Sequence, residues 1–374
     1  MIEPIKVLFV DDEPMVLRSI ERLLRARRIP WQSRCVGSAQ EAIEQLAATP
    51  FDVIVSDLRM PNVDGASLLR RVREQFPQVA RLVLSGQAAT REGMEAMQVA
   101  HQCLSKPYDL AELRTAVEGL ARARQRVDSP SLVAAISRLA CLPSPPSAYQ
   151  KLVTALGGGA PLRESEETLE RDPAISAKIL QLHRSAVLSG DAECHSVAEV
   201  LHQVDAELAA AFALGEEMCR PLRPQDAALT DLEAWQRHSV LVARVCRAIA
   251  PPEQRGQAFS AGILHDVGGL IAACLPDDIR PPAGQHASLG ACLLGLWGIE
   301  DAIVEAVAHH HELPADPAHS SLVLTLAIAE YVVTEAGFGT PQCHAQAPLA
   351  PPAAATPAQL EQAREVLRRI CAEN

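Results

Sequence analysis

At 374 residues and 48% hydrophobic content, the chain is long enough for two domains, each with a buried core, and no apolar run reaches the ~18–20 residues of a membrane span. Its formal charge of −12 is unevenly placed: residues 1–126 hold 18 Lys and Arg against 16 Asp and Glu, whereas the rest holds 16 against 30. So acidic a second half argues against DNA binding, which needs clustered basic side chains, and the ten scattered cysteines form no C-x-x-C, which reads as reduced, cytoplasmic thiols and excludes a disulfide framework.

In chain order, the apolar strand Lys6–Val10 follows the N-terminus with no signal peptide between, and it runs into Asp11-Asp12-Glu13. Two adjacent acids at a strand end repel unless a cation lies between them. A helix over Pro14–Arg27 follows, with Val16, Ile20, Leu23 and Leu24 expected on its apolar face. Ser38 and Glu41 read as a capping box for a helix to Ala48. The β-branched run Val53–Val55 predicts a strand buried on both faces; it ends in Asp57, and Pro61 and Gly65 force a turn. Helix Ala66–Gln75, strand Leu82–Leu84 ending in Ser85, and helix Thr90–Val99 come next. Cys103–Ser105 leads to Lys106-Pro107, and Asp109 caps a helix from Leu110 to about Val127. Parallel strands place all four strand ends at one edge of a sheet. An acidic pair, a lone Asp, a hydroxyl and a Lys gathered there suit a divalent cation and a phosphoryl group.

These positions, over about residues 4–126, resemble the receiver domain of two-component response regulators. The resemblance implies a flavodoxin-like five-stranded parallel sheet. Asp57 would accept phosphate from a histidine kinase. Asp12 and Asp57, with Asp11 through water, would hold Mg²⁺, and Ser85 and Lys106 would contact the phosphoryl group. Cys103 stands where many receivers carry a switching Tyr or Phe.

Asp128-Ser-Pro130 breaks the pattern, and from Leu132 to about Gly337 the periodicity is helical, with Pro and Gly in the separators. The expected helices are Ser131–Leu139, Ser147–Leu156, Arg163–Arg171, Pro173–Ser185, Ser196–Leu201, Ala206–Met218, Leu232–Ala250, Gln254–Cys274, His286–Leu296, Glu300–His311 and Ser320–Ala336. Eleven of the twelve histidines fall between 183 and 344. His183, His195, His202, His319 and His344 read as ordinary core or surface residues. His238, His265-Asp266, His286 and Glu330 lie on or at the ends of apolar helices. The face Ile299-Ile303-Val307 continues to His310 and His311, which turns both inward and leaves His309 outside. Imidazoles and carboxylates in a helical core suit Fe, Mn, Ni or Zn.

The order of these residues resembles the HD superfamily of metal-dependent phosphohydrolases, and more closely its HDOD branch. Leu142-Pro-Ser-Pro-Pro146, the Asp172-Pro173 helix start, and His286-x-x-Leu-Gly-Ala-x-Leu-Leu294 followed by Trp297-Gly-Ile carry that likeness. The resemblance implies a signalling output acting through protein contacts with an unidentified downstream protein. Its alternative is a metal-dependent phosphodiesterase related to the HD-GYP enzymes, with His238, His265, Asp266, His286, His310, His311 and Glu330 as ligands. Gly269 stands where those enzymes carry Lys, and no Gly-Tyr-Pro follows Glu312.

The expected layout is an α/β receiver over 1–127, an all-α HD-type domain over 128–338, and an Ala/Pro linker with an amphipathic helix over 339–374. Thr356, Pro357 and Gln359 start that last helix, and its stripe Leu360, Ala363, Val366, Leu367 and Ile370 must be covered. Folding back on the domain is the preferred arrangement, and pairing in a homodimer is the other.

Overall fold

The computed structural model describes residues 4–86, 96–144, 169–185, 194–203, 220–221, 232–312, 320–339 and 350–373. The chain divides into two compact units. The first is built on a parallel sheet in the order β2-β1-β3-β4-β5: β1 Lys6–Val10, β2 Gln32–Val36, β3 Val53–Asp57, β4 Ala80–Ser85 and β5 Gln102–Ser105. Every residue of β3 and β4 is buried, as their unbroken apolar runs require. The order reverses between β1 and β3, and a doubly wound sheet opens a crevice beyond the strand ends at that point. Helices α1 Pro14–Ala26, α2 Ala39–Ala48, α3 Gly65–Gln75 and α4 Leu110–Gln125 connect the strands.

Two local readings change. Ser38 caps α2 as expected, but the Glu41 carboxylate reaches back to the amide of Gly37, one residue outside the expected box. A full capping box occurs instead at Asp109 and Glu112. The expected helix Thr90–Val99 lies largely outside the described residues. Gly65 starts α3 where a Cβ would stand 2.2 Å from the carbonyl oxygen of Asp57, so only glycine lets the helix begin against the strand end.

Residues 128–140 group with the first unit, beyond the expected boundary at 127. A short helix, α5 Pro130–Ile136, buries Leu132, Val133 and Ile136. The Arg81 guanidinium, 2% exposed, donates to the carbonyls of Val99 and Ser137, each at 2.5 Å. The imidazole of His101, also 2% exposed, accepts at Nδ1 from the Arg81 amide at 3.0 Å and donates from Nε2 to Ser137 at 3.2 Å.

The second unit is helical: α6 Pro173–Arg184, α7 Val197–Gln203, α8 Leu232–Ile249, α9 Arg255–Leu264, α10 Val267–Cys274, α11 His286–Leu296, α12 Asp301–His309, α13 Ser320–Val333 and α14 Pro357–Ala372, with the ends of α6 (from Gln181) and α11 (from Gly295) grouping with the first unit. A two-residue parallel pair, Pro143–Ser144 with Arg220–Pro221, is the exception to the all-α expectation among the described residues. The expected helices at 147–156, 163–171 and 206–218 lie outside the described residues, apart from the end of the second. The expected helix Gln254–Cys274 is broken at His265-Asp266 into α9 and α10. Helix α13 runs into a π turn over Thr334–Phe338, and Gly337 takes a left-handed φ of 90°. Against the expectation that no stretch reaches the length of a membrane span, Ser321–Phe338 is long and apolar enough to cross one by length and composition; half of it is buried inside the unit.

Helix α14 folds back, as preferred: Ala363, Val366, Leu367 and Ile370 are buried against α8 and α13. Its Thr356–Gln359 capping box forms as read. Arg364 pairs with Glu335 of the π turn at 2.8 Å.

Burial and the Arg81 charge hold the His101 imidazole well below its usual range. Protonation would place a hydrogen on Nδ1 against the Arg81 N–H. Folding therefore favours neutral His101, whose contribution is complete above the unfolded value near 6.5 and declines below it. In urea melts between about pH 7.5 and about pH 5.5, the wild type should lose more stability than His101→Asn, by an amount approaching ~1.4 kcal/mol per pH unit below that point.

Candidate phosphoryl-acceptor and metal centres

The first site lies at the carboxyl edge of the sheet. Asp11 follows β1, Asp57 ends β3, Ser85 ends β4 and Lys106 follows β5; Asp11, Asp57 and Ser85 are 4%, 8% and 1% exposed. Asp57 Oδ2 accepts the Arg59 amide at 2.9 Å, and Asp11 Oδ1 accepts the Glu13 amide at 2.9 Å. The Lys106 ammonium bonds Asp57 Oδ1 and stands 3.7 Å from Asp11 Oδ2. Asp11 Oδ2 is buried and accepts no hydrogen bond. Burial raises the Asp11 carboxyl, against the Glu13 amide and the Lys106 charge, and the charges of Asp57 and Asp12 add to the rise. An orphaned carboxylate oxygen beside a second buried carboxylate is a hard-oxygen donor set, and it fits Mg²⁺. Asp12 is half-buried and lines a groove of about 470 Å³ with Arg59, Met60 and Asp64. Cys103 is buried on β5, and burial pushes its thiol up to about 12.

The second site is assembled by six helices. α8 carries His238, the α9–α10 break carries His265 and Asp266, α11 begins at His286, α12 ends into His310 and His311, and α13 carries Glu330. All but His311 are at most 3% exposed. His309 faces outward, 3.5 Å from Glu305, as the helix periodicity requires. The break at 265–266 has a packing cause. A Cβ on Gly268 would stand 1.7 Å from the carbonyl oxygen of His286, so this glycine brings the start of α10 against the start of α11.

The imidazoles are aimed from behind. His238 Nδ1 donates to the carbonyl of Phe338 at 2.8 Å, His265 Nδ1 to Gly262 at 2.8 Å, and His310 Nδ1 to Val307 at 2.7 Å. Such bonds leave the Nε2 lone pair of a neutral ring as the forward atom. These atoms converge: His238 Nε2 to His265 Nε2 is 3.1 Å, His286 Nε2 to His310 Nε2 is 3.2 Å, and His311 Nε2 to His286 Nε2 is 3.0 Å. Asp266 lies between the two groups, with Oδ2 at 3.6 Å and 3.9 Å from His265 and His238 and Oδ1 at 3.2 Å from His286. Glu330 stands 3.7 Å from both His310 and His311.

Burial holds His265 and His311 down to about 4 and His310 well below its usual range, so these rings are neutral. Burial alone would raise the Asp266 carboxyl; the facing imidazoles outweigh it and hold the carboxylate well below its usual range. Neutral imidazoles around an ionised carboxylate are a nitrogen–oxygen donor set of intermediate softness, and they fit Fe, Mn, Ni or Zn. The seven side chains fall into two groups that could each hold a metal ion, His238–His265–Asp266 and His286–His310–His311, with Glu330 beside the latter.

All seven output residues named from the sequence are brought together. What the sequence reading missed are the orienting backbone acceptors, Gly262, Val307 and Phe338. The first two lie three residues before their histidines on the same helix, a spacing that marks them. Phe338 lies 100 residues from His238 and has no such signal. Of the other histidines, His195 pairs with Glu300 at 2.8 Å, and His319 and His344 lie outside the described residues. Gly268→Ala should separate α10 from α11; we expect a loss of more than ~2 kcal/mol in denaturant melts together with loss of metal retention.

Family models describe the same two parts. Residues 7–118 match the response regulator receiver domain, residues 142–281 the HDOD domain, and residues 235–334 the HD domain. Among curated relatives, a transcriptional regulatory protein, TrcR, of Mycobacterium tuberculosis is 32% identical over 34% of this chain and 49% of its own length. The response regulator Rre1 of Synechocystis is 33% identical over 34% of this chain and 56% of its own. The chain thus covers about half the length of these relatives. The crystal structure of a signal receiver domain of an HD domain-containing protein from Pseudomonas fluorescens is 26% identical, covering 33% of this chain and 92% of that one, with a TM-score of 0.32.

Proposed function

Given a response regulator receiver domain at the N-terminus and an HDOD/HD domain after it, we propose a phosphorylation-gated output that carries a metal centre. Asp57 takes a phosphoryl group from a histidine kinase. Asp57 and Asp12, with Asp11 through water, hold Mg²⁺, which neutralises charge on the transferring group. Lys106 shifts from its bond with Asp57 to a phosphoryl oxygen, and the Ser85 hydroxyl donates to another. The 1–127, 128–338 and 339–374 division describes these roles, with the receiver's packing running on to residue 140.

The phosphoryl group acts by favouring one arrangement of the protein over another, a bias of a few kcal/mol. The HDOD output passes that bias to a downstream protein by contact. Incubation with acetyl phosphate and Mg²⁺ should add one phosphoryl group to the wild type by mass and none to Asp57→Asn. Labelling of Asp57→Asn at the same level would overturn the assignment.

One observation favours a second reading, a metal-dependent phosphohydrolase acting on a cyclic dinucleotide or another nucleotide. It is the facing Nε2 atoms of His238 and His265, 3.1 Å apart, each with its Nδ1 hydrogen committed to a carbonyl. Two acceptors held in contact are a ligand arrangement and not a hydrogen-bonded core pair. A metal there would supply a hydroxide at neutral pH. His238, His265, His286, His310 and His311 would hold it, Asp266 would bridge or orient, and Glu330 would hold the His310 and His311 rings. Gly269, in place of the lysine of related enzymes, removes one cation for a substrate phosphate.

Elemental analysis should find one or two Fe, Mn, Ni or Zn ions per chain and a loss in His265→Ala. Metal-loaded protein that hydrolyses no nucleotide in a panel would retire the enzymatic reading and keep the contact-mediated one. Equal metal content in both proteins would remove the centre.

A further inference from the structure

We propose that the second unit carries a binding site for a small phosphate-bearing anion in the groove between α8 and the C-terminal helix α14, away from the histidine cluster. The groove measures about 480 Å³, and its walls include Arg244, Arg247, Arg255 and Arg369 against only Glu365 and Glu373. That is within the ordinary range of small-molecule pockets. Four arginines at one place stand out in a half of the chain that holds 16 basic residues against 30 acidic ones.

Partnering separates these arginines from their neighbours. On α14, Arg364 pairs with Glu335 at 2.8 Å, and Arg368 bonds Glu361. Arg369, one residue on, faces the groove instead. Among the described residues, the Arg247, Arg255 and Arg369 side chains make no ion pair, and Arg244 reaches Glu373 at a loose 3.4 Å. The Arg247 guanidinium lies 4.7 Å from the Phe259 ring centre, and stacking restrains its plane. Four guanidinia against two carboxylates leave the groove with a net positive charge, and a ligand with two or more negative charges balances it. Their planar forks match phosphate oxygens two at a time.

The walls are rigid, because α14 is pinned by Ala363, Val366, Leu367 and Ile370 in the core. The same α8 carries His238, so one helix serves the metal cluster and the groove at separate positions. A lipid surface fits less well. The exposed large hydrophobics among the described residues are Met15 and Leu23, both in the other unit, so nothing beside the groove would insert into acyl chains.

The test is calorimetric titration of the full chain with inorganic pyrophosphate in EDTA, which keeps the histidine cluster free of metal. Pyrophosphate should bind the wild type and His265→Ala alike. It should bind Arg247→Ala/Arg369→Ala at least about tenfold more weakly, the effect of removing charge-assisted bonds to phosphate. Affinity should fall as salt rises. Arg255→Ala, a change at an exposed position outside the core, should weaken binding with unchanged thermal stability, which guards against a folding defect in the double variant. Undiminished binding in the double variant, loss of binding in His265→Ala, or no binding of pyrophosphate alongside binding of phosphatidylglycerol vesicles would each overturn the proposal.

Discussion

The contact of imidazole with imidazole organises the second unit. Neutral rings do not gather in a core by hydrophobic attraction. Their positions are imposed by carbonyls behind them, by Asp266 between them, and by helix ends that deliver them. Three of the five positions involved, the 265–266 break, the start of α11 and the end of α12, are at a terminus or a break. A helix terminus has unused carbonyls, and those of Gly262 and Val307 orient the rings that follow. The unit therefore places strongly polar groups in an apolar interior without leaving their rear faces unsatisfied. A cation in front would complete the set and raise the stability of the folded state by mass action.

The receiver uses the same logic with harder ligands. Its charges sit where strands stop, so backbone amides of the following loops are available to carboxylate oxygens, as Glu13 serves Asp11 and Arg59 serves Asp57. Lys106 holds the two acids together. Gly65, packed on the Asp57 carbonyl, puts the start of α3 directly against the end of β3.

Much of this was legible in the sequence. Strand ends bearing Asp, Ser and Lys at the right intervals determine both a fold and a site, because parallel strands bring their ends to one edge. The inward turn of His310 and His311 followed from helix geometry alone. The failures are non-local or depend on close approach. The break at His265-Asp266 lies in a stretch whose apolar period is continuous, and its cause, the contact of Gly268 with His286, is a tertiary one. The shift of the Glu41 cap to Gly37 turns on a backbone dihedral that composition does not encode. The Arg81 partner lies 56 residues away, beyond any motif.

Arg81 also bears on where a receiver can be cut. Burial, with Arg73 and Arg138 nearby, lowers its guanidinium to about 9, yet it stays protonated and depends on carbonyl oxygens for solvation. One of these belongs to Ser137, after the last receiver helix. A fragment ending at the usual boundary would keep the cation and lose that oxygen, exposing the cavity left by Leu132, Val133 and Ile136. The first unit is thus longer than the sheet-and-helix pattern that identifies it: residues 128–140 belong to it, and Leu132, Val133 and Ile136 are part of its buried core.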